Sequence, residues 1–204
     1  MGRRFLITGT DIGVGKTTVG CALGFAMRAR GMRVGVMKPV DTLESQDAQA
    51  LALAAGSAIP MELICPYRYS SASTLETAPD FAHIARCFSE IAAQSDVVLV
   101  ESASTIDFAG LAAMLGLEVI VVVGNRPGCV DATTLAIQRC EGRALKVAGY
   151  VLCDCDPVTL WAADDTQASL ERIVKASYLG RMRHREPLAK AIVEKLIQQA
   201  VGAM

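Results

Sequence analysis

Short runs that are apolar on nearly every residue alternate along this chain with longer stretches of helical period. Phe5-Leu6-Ile7-Thr8, Arg33 to Lys38, Asp96 to Glu101, Glu118 to Gly124 and Lys146 to Cys153 read as strands. Several are apolar at successive positions, as strands covered on both faces should be. Between the first two lies a helix over 17–30, in which Val19, Ala22, Leu23, Ala26 and Met27 fall on one face and Gly31 supplies the stop. Further helices are predicted at 47–55, 80–94, 107–116, 131–141, 159–176 and 187–201. Leu188, Ile192, Leu196 and Ala200 give the last of these an apolar face. Ser57 to Pro79, with three prolines, is the least regular stretch and reads as a candidate substrate loop. The βαβα rhythm predicts an α/β fold with a mostly parallel central sheet and helices on both faces.

Composition narrows what such a fold could serve. The chain has 204 residues, 52% of them hydrophobic and 20% charged, enough apolar side chain for a packed core. Residues 1–204 are therefore read as a single domain. Twenty Lys and Arg against 21 Asp and Glu leave a net charge of −1, so no basic field favours nucleic acid or an anionic membrane. Despite a mean hydropathy of +0.36, the longest apolar stretch, Gly110 to Gly124, carries Glu118 and falls short of the roughly 20 residues a membrane-spanning helix needs. The first residues hold too few apolar positions for a secretion signal, and Leu6 breaks a myristoylation pattern, so the expected location is cytoplasmic. The seven cysteines (21, 65, 87, 129, 140, 153, 155) form no C-x-x-C pair and read as reduced, mostly buried thiols. His83 and His184 lie far apart without ligands at zinc spacing.

The strongest chemical signal is Gly9-Thr10-Asp11-Ile12-Gly13-Val14-Gly15-Lys16-Thr17-Thr18, between the first strand and the first helix. That context is what a phosphate-binding loop requires. Its backbone N–H groups would curl around phosphate oxygens at a helix N-terminus, with Gly13, Val14, Gly15, Lys16, Thr17 and Thr18 holding the nucleotide. Lys16 would reach the outer phosphates and Thr17 would place its hydroxyl on Mg²⁺. The spacing departs from the strict motif, since Gly9 comes one residue early and Thr10 stands where the first glycine belongs. With this loop the predicted architecture becomes a P-loop NTPase-type three-layer sandwich. A carboxylate at a neighbouring strand end, Glu101 after Val97-Val98-Leu99-Val100, sits where open α/β sheets bind ligands and reads as a metal ligand or a helix cap. Lys38, leaving the second strand in Lys38-Pro39-Val40-Asp41-Thr42, offers a second cation for a transferring phosphoryl group. Asp47, opening the next helix, is equally an N-cap and a possible metal ligand.

Together these motifs resemble the dethiobiotin synthetase family. The resemblance rests on Gly-Thr-Asp and Val-Gly-Lys-Thr in the loop, Lys38-Pro39-Val40, Asp47-Ala48 and the strand-end Glu101. Cys65-Pro66-Tyr67, Val121-Val122-Val123-Gly124, Gly128-Cys129, Ala148-Gly149-Tyr150-Val151 and Leu179-Gly180 extend it over most of the chain. The ParA/MinD group carries a signature lysine where Asp11 stands here, and is disfavoured. The resemblance implies an ATP- and Mg²⁺-dependent cyclo-ligase of biotin biosynthesis, in which CO₂ and the diamine diaminopelargonate form a carbamate that is phosphorylated and closed to a cyclic urea. Lys16 and Lys38 would then be catalytic, Thr17, Asp47 and Glu101 would hold Mg²⁺, and Asp154 would lie at the nucleotide. Thr42, Ser102, Ala103 and Ser104 would meet the substrate. The implied partners are ATP, the diamine and CO₂ or bicarbonate, and a second copy of the chain in a homodimer.

Departures from the family pattern leave a second reading, a non-catalytic or altered-substrate nucleotide-binding paralogue. Ile12-Gly13 replaces a polar pair, and Ser102-Ala103-Ser104-Thr105 replaces a glycine-rich turn near the substrate. Cys153 replaces an asparagine that reads adenine. A ligase acting on a different acid, like the cobyrinate amide-forming relatives, would need an ammonia source for which this chain offers no glutaminase domain. Arg181-Met182-Arg183-His184-Arg185 is the densest basic stretch and reads as a solvated turn or as a contact to nucleotide or substrate carboxylate.

Overall fold

Parallel strands that all end at one edge determine where this protein can gather chemistry. The computed structural model describes residues 2–70, 78–103, 107–154, 163–183 and 192–196. In chain order the first elements are β1 (Arg3–Gly9), α1 (Lys16–Arg28), β2 (Val34–Met37), β3 (Val40–Thr42), α2 (Asp47–Ala55), α3 (Met61–Ile64) and β4 (Tyr67–Tyr69). They are followed by α4 (Phe81–Ala93), β5 (Val97–Glu101), α5 (Phe108–Leu115), β6 (Glu118–Gly124), α6 (Cys129–Glu141), β7 (Val147–Cys153), α7 (Ala163–Ile173) and β8 (Tyr178–Met182). A six-stranded sheet runs in the order β2-β5-β1-β6-β7-β8 with every neighbouring pair parallel. The fold is thus the expected α/β P-loop NTPase type.

Strand residues divide by their period of two. Phe5, Ile7, Leu99, Ile120, Val122 and Val151 pack with Val19, Leu23 and Met27 of α1 and Leu51 of α2 on one face. Leu6, Val98, Val100, Val119, Val121 and Leu152 pack with α4, α5, α6 and Leu170 of α7 on the other. Burial on both sides is why these strands read as unbroken apolar runs. A helical stretch at 192–196 adds Ile192, Val193 and Leu196 to the first face. The rest of the predicted 187–201 helix lies outside the described residues, as do Cys155, His184 and Arg185.

The segment after β2, the irregular stretch 57–79 and the C-terminal third hold elements that periodicity did not predict. β3 and β4 form a separate parallel pair, aligning Val40 with Tyr67 and Thr42 with Tyr69. Three residues with a charge in the middle of each strand, Asp41 and Arg68, carry no readable alternation. β8 is an edge strand containing Gly180 and Arg181, which breaks its apolar pattern. α6 starts at Cys129, two residues earlier than predicted, because Gly128 adopts a left-handed φ of 79° and turns the chain into the helix. Among the described residues no helix is long and apolar enough to cross a membrane.

Candidate active site

Lys16, Thr17, Lys38, Glu101, Ser102 and Asp154 all lie at or just after the carboxyl ends of strands of the main sheet, whereas Thr42 and Asp47 follow from the separate strand β3. The loop between β1 and α1 is built by two glycines with left-handed angles, Gly13 at φ 70° and Gly15 at φ 94°. Gly15 is also the N-cap of α1, with no side chain covering the helix N–H groups. A Cβ there would lie 2.8 Å from the Cys153 Sγ at the end of β7, so the loop passes directly over that thiol. Gly9 takes over the close approach that the displaced first glycine would have made, since a Cβ on it would sit 2.6 Å from Val14 Cγ2. Thr10 in turn ties the loop to β6: its N–H donates to the Val122 carbonyl at 3.0 Å, and its Oγ1 accepts from the Gly124 N–H at 3.3 Å.

Lys16 donates to the Asp11 carbonyl across this loop at 3.1 Å. Burial pushes its ammonium below the ordinary lysine value, and the charge of Glu101 offsets only part of that. One residue on, the Thr17 hydroxyl donates to Glu101 Oε1 at 2.9 Å. The same oxygen accepts from Lys38 Nζ at 2.8 Å. Lys38 also donates to Asp47 Oδ2 and lies 3.8 Å from Asp41 Oδ1. Lys38 at 6% exposure, Glu101 at 2% and Asp41 at 7% are buried, and Asp47, its side chain 42% exposed, closes this cluster of one ammonium and three carboxylates at its rim. Burial works against the Lys38 charge, but Glu101, then the hydrogen bonds to Asp47 and Glu101, and then Asp41 outweigh it and hold its pKa above the ordinary value. For Glu101, burial prevails over the help of Lys38 and Thr17, and its carboxyl sits above the usual range.

For two residues this geometry removes the helix-cap reading. Asp47 is the first residue of α2 rather than its cap, which is Gln46, and its carboxylate turns to Lys38. Glu101 caps no helix: Asp107 caps α5, accepting from the Ala109 N–H. Asp41, which the sequence reading passed over, completes the cluster. Its spacing three residues after Lys38 was the available signal. Glu101 Oε2 and Asp41 Oδ2 are buried without a hydrogen-bond partner. Such orphaned hard oxygens, that of Glu101 on the carboxylate that accepts from the Thr17 hydroxyl, suit a divalent cation that keeps several of its waters. Among the described residues no three His, Cys, Asp or Glu side chains are grouped to hold a metal on their own. A hydroxyl, carboxylates and water are the donor set available.

In front of the loop lies a cavity of about 310 Å³ lined by Thr8 to Ile12, Lys16, Ser102 and Ala103, and closed by Phe108 and Arg139 from α5 and α6. Ser102 is buried, its N–H donating to the Ile7 carbonyl at 3.0 Å and its hydroxyl to Thr8 Oγ1 at 3.1 Å. Ser104 and Thr105 lie outside the described residues. Thr42 ends β3, its N–H on Asp41 Oδ1 at 2.9 Å, and is not brought to this cavity. A larger cavity of about 370 Å³ between the start of α6 and α7 contains neither lysine.

Asp154, after β7, has both oxygens engaged. Oδ1 accepts from Asn125 Nδ2 at 2.9 Å, and Oδ2 accepts from Arg181 Nε at 2.8 Å and Nη2 at 2.7 Å. The basic stretch therefore begins inside β8, with Arg181 turned to a carboxylate and Met182 buried. Asn125 escaped the sequence reading. It follows β6 at the same edge, 5% exposed, with its Oδ1 unpartnered.

A family model described as an AAA domain, AAA_26, matches residues 3–191. The ATP-dependent dethiobiotin synthetase BioD of Anaeromyxobacter dehalogenans (strain 2CP-C) is 36% identical over 206 residues, covering 92% of this chain and 88% of that protein. Among solved structures, the MinD cell division protein of Aquifex aeolicus superposes with a TM-score of 0.64 at 14% identity, covering 98% of both chains. A putative plasmid partition protein from Borrelia burgdorferi bound to AMPPNP gives 0.60 at 12% identity, covering 100% of this chain and 99% of that one. At such identities the two structures speak for the fold alone.

Proposed function

Because the chain belongs to the dethiobiotin synthetase family of ATP-dependent P-loop ligases, we propose that it closes a cyclic urea on diaminopelargonate using CO₂ and ATP. The observation that carries this reading is the convergence of the Thr17 hydroxyl and the Lys38 ammonium on one Glu101 oxygen, beside the loop that presents Lys16. One amine of the substrate attacks CO₂ and loses a proton, giving a carbamate. A carbamate oxygen then attacks the γ-phosphorus of ATP and ADP leaves. The second amine attacks the resulting carbonyl carbon, expelling phosphate and a proton as the ring closes.

In this reaction the chain's own residues supply charge and position. Lys16 and the N–H groups of Gly13 to Thr18 hold the phosphates, and Lys38 swings from its carboxylates toward the carbamate and the transferring phosphoryl group. Thr17, Asp47 and Glu101 would hold Mg²⁺, which neutralises phosphate charge when bound. Ser102 and Ala103 border the diamine, and Thr42 and Ser104 are kept as substrate candidates on the sequence pattern alone. Asp154 orients the edge where the base lies. We take the active form to be a cytoplasmic homodimer, and the molar mass in solution by light scattering checks the dimer. The test is ATP turnover with and without bicarbonate and diaminopelargonate: diamine-dependent phosphate release with a cyclic urea product supports the reading. Binding of ATP without turnover on any diamine supports the other one, a non-catalytic or altered-substrate nucleotide-binding paralogue, which the replacement of the family's glycine-rich turn by Ser102-Ala103-Ser104-Thr105 favours.

A further inference from the structure

All strands of the main sheet end at one edge, and the groups that handle phosphate and metal occupy only half of it. Lys38 and Glu101 follow β2 and β5, on one side of β1 and its loop. On the other side Asn125 and Asp154 follow β6 and β7. These strand ends are bound to the phosphate loop and to one another. The Gly124 N–H donates to Thr10 Oγ1 at 3.3 Å, the Asn125 N–H to the Cys153 carbonyl at 2.8 Å, and the Asp154 N–H to the Met182 carbonyl at 2.9 Å. A Cβ on Gly15 would lie 2.8 Å from Cys153 Sγ and 3.7 Å from Met182 Cε, so the loop passes close to the ends of β7 and β8. A nucleotide with its phosphates in the loop and its metal-binding end at Thr17 and Glu101 has these strand ends left for its base.

One carboxamide stands there in a fixed orientation. Arg181 holds Asp154 Oδ2 with Nε at 2.8 Å and Nη2 at 2.7 Å, and Asp154 Oδ1, which can only accept, takes Asn125 Nδ2 at 2.9 Å. The amide of Asn125 is therefore committed through its nitrogen, and its oxygen is the end left over. A tight turn fixes the backbone behind it, the Arg126 N–H donating to the Gly124 carbonyl at 2.8 Å. Oδ1 has no hydrogen-bond partner, although Asn125 is only 5% exposed. A buried acceptor left so is costly and calls for a donor. Unlike Glu101 Oε2 and Asp41 Oδ2, this oxygen belongs to a neutral group, so an N–H suits it better than a cation. Cys153, where the family carries its adenine-reading asparagine, is 3% exposed and offers no carboxamide.

We propose that Asn125 is a specificity-determining residue that reads the nucleotide base, its Oδ1 accepting from the exocyclic amino group of adenine or cytosine. Hypoxanthine and uracil, which carry a carbonyl at the same ring position, set an acceptor against an acceptor and are rejected. The proposal rests on the nucleotide site common to both readings above and not on the diamine.

Calorimetry in the presence of Mg²⁺ with two pairs that differ at that edge, ADP against IDP and CDP against UDP, reads the selection without any turnover. In the pair whose ring fits, the wild type binds the amino base at least about tenfold tighter, because the carbonyl base leaves the buried acceptor unsatisfied. Asn125→Leu, which removes the acceptor and keeps the bulk, brings the two members of that pair to near equality. Asn125→Asp combined with Asp154→Asn exchanges donor and acceptor within the pair yet leaves an acceptor oxygen at 125, so the selection persists. Equal binding of amino and carbonyl bases by the wild type in both pairs overturns the proposal. So does Asn125→Leu that weakens both members of a pair alike and keeps their ratio, the mark of a structural link or of a contact to the ribose. The functional reading fails by a different sign: selection that depends on Asn125, in a protein that makes no cyclic urea from the diamine, leaves Asn125 standing and removes the reaction. Diamine-dependent ring closure without that selection does the reverse.

Discussion

Replacing Lys38 by Met tests whether the buried cluster is organised around its one ammonium. Lys38 is the sole cation hydrogen-bonded to Glu101 among the described contacts, and it also serves Asp47 and Asp41. Without it Glu101 Oε1 keeps only the Thr17 hydroxyl, while Glu101 Oε2 and Asp41 Oδ2 already have no partner. Breaking a buried pair by removing one partner costs about 3–5 kcal/mol, because the remaining charge stays desolvated and unopposed. At roughly 2–4 °C per kcal/mol for a chain of this size, the melting temperature without Mg²⁺ falls by roughly 6–20 °C. Lys38→Met with Glu101→Gln removes both charges and recovers part of the loss, so thermal unfolding of the four proteins in a double-mutant cycle gives a coupling above about 1 kcal/mol. The pH limb follows from the raised Lys38 pKa. Its contribution is complete below the ordinary lysine value and is lost as pH climbs through the higher folded value, so the alkaline limb flattens in Lys38→Met. A melting shift under about 2 °C, or a double variant no more stable than Lys38→Met, would refute the argument. Turnover by Lys38→Met falls far more than ATP affinity, since its charge is used in the transition state.

Lys16→Ala weakens binding of an ATP analogue at least about tenfold by calorimetry, the loss expected for charge-assisted bonds to phosphate. Gly15→Ala forces a side chain into a φ of 94° and against Cys153 Sγ, costing about 1–3 kcal/mol of stability in the loop. Adding Cys153→Ala relieves the clash but not the backbone strain, so denaturant titration shows partial recovery only. The Arg33 guanidinium and its backbone N–H hold the Asp96 carboxyl at about 2. Its contribution is present above the ordinary carboxylate value and is lost as pH falls toward the folded one, so Asp96→Asn flattens that part of the acid limb. Burial pushes the Cys65 and Cys140 thiols up to about 11, and Ellman's reagent at pH 8 labels them slowly until denaturant is added.

What the sequence disclosed depended on how each element earns its stability. Strands buried on both faces announce themselves because nearly every residue is apolar, and β1, β5, β6 and β7 fall within two residues of where the runs beginning at Phe5, Asp96, Glu118 and Lys146 predicted. β3, β4 and β8 are held by backbone pairing to one neighbour and keep polar residues such as Asp41, Arg68 and Arg181, so no period marks them. The same contrast separates site residues. Lys16, Thr17, Lys38 and Glu101 were legible because strand–loop–helix spacing places each at a strand's carboxyl end. Arg139 and Phe108 sit on helices whose other residues pack the core, and only the approach of α5 and α6 to the loop brings them to the cavity.

The departures from the family pattern look less disruptive once the backbone is considered. Thr10 in place of a glycine is accommodated because Gly9 makes the close approach one residue earlier, and the Thr10 hydroxyl is used to anchor the loop to β6. Ser102 in place of a glycine lines the cavity with its polar groups already engaged. Its N–H extends the β1–β5 ladder onto Ile7, and its hydroxyl is turned to Thr8, between the strands. The side-chain oxygen is thus engaged at the sheet edge, and Ala103 is the other described residue of this turn that lines the cavity. A Ser102→Gly variant should therefore bind and turn over the diamine with little change and lose stability instead, by about 0.5–1.5 kcal/mol for the missing hydrogen bond plus the added chain entropy. A gain in diamine affinity on that substitution, read by calorimetry, would mean that the hydroxyl obstructs the substrate after all.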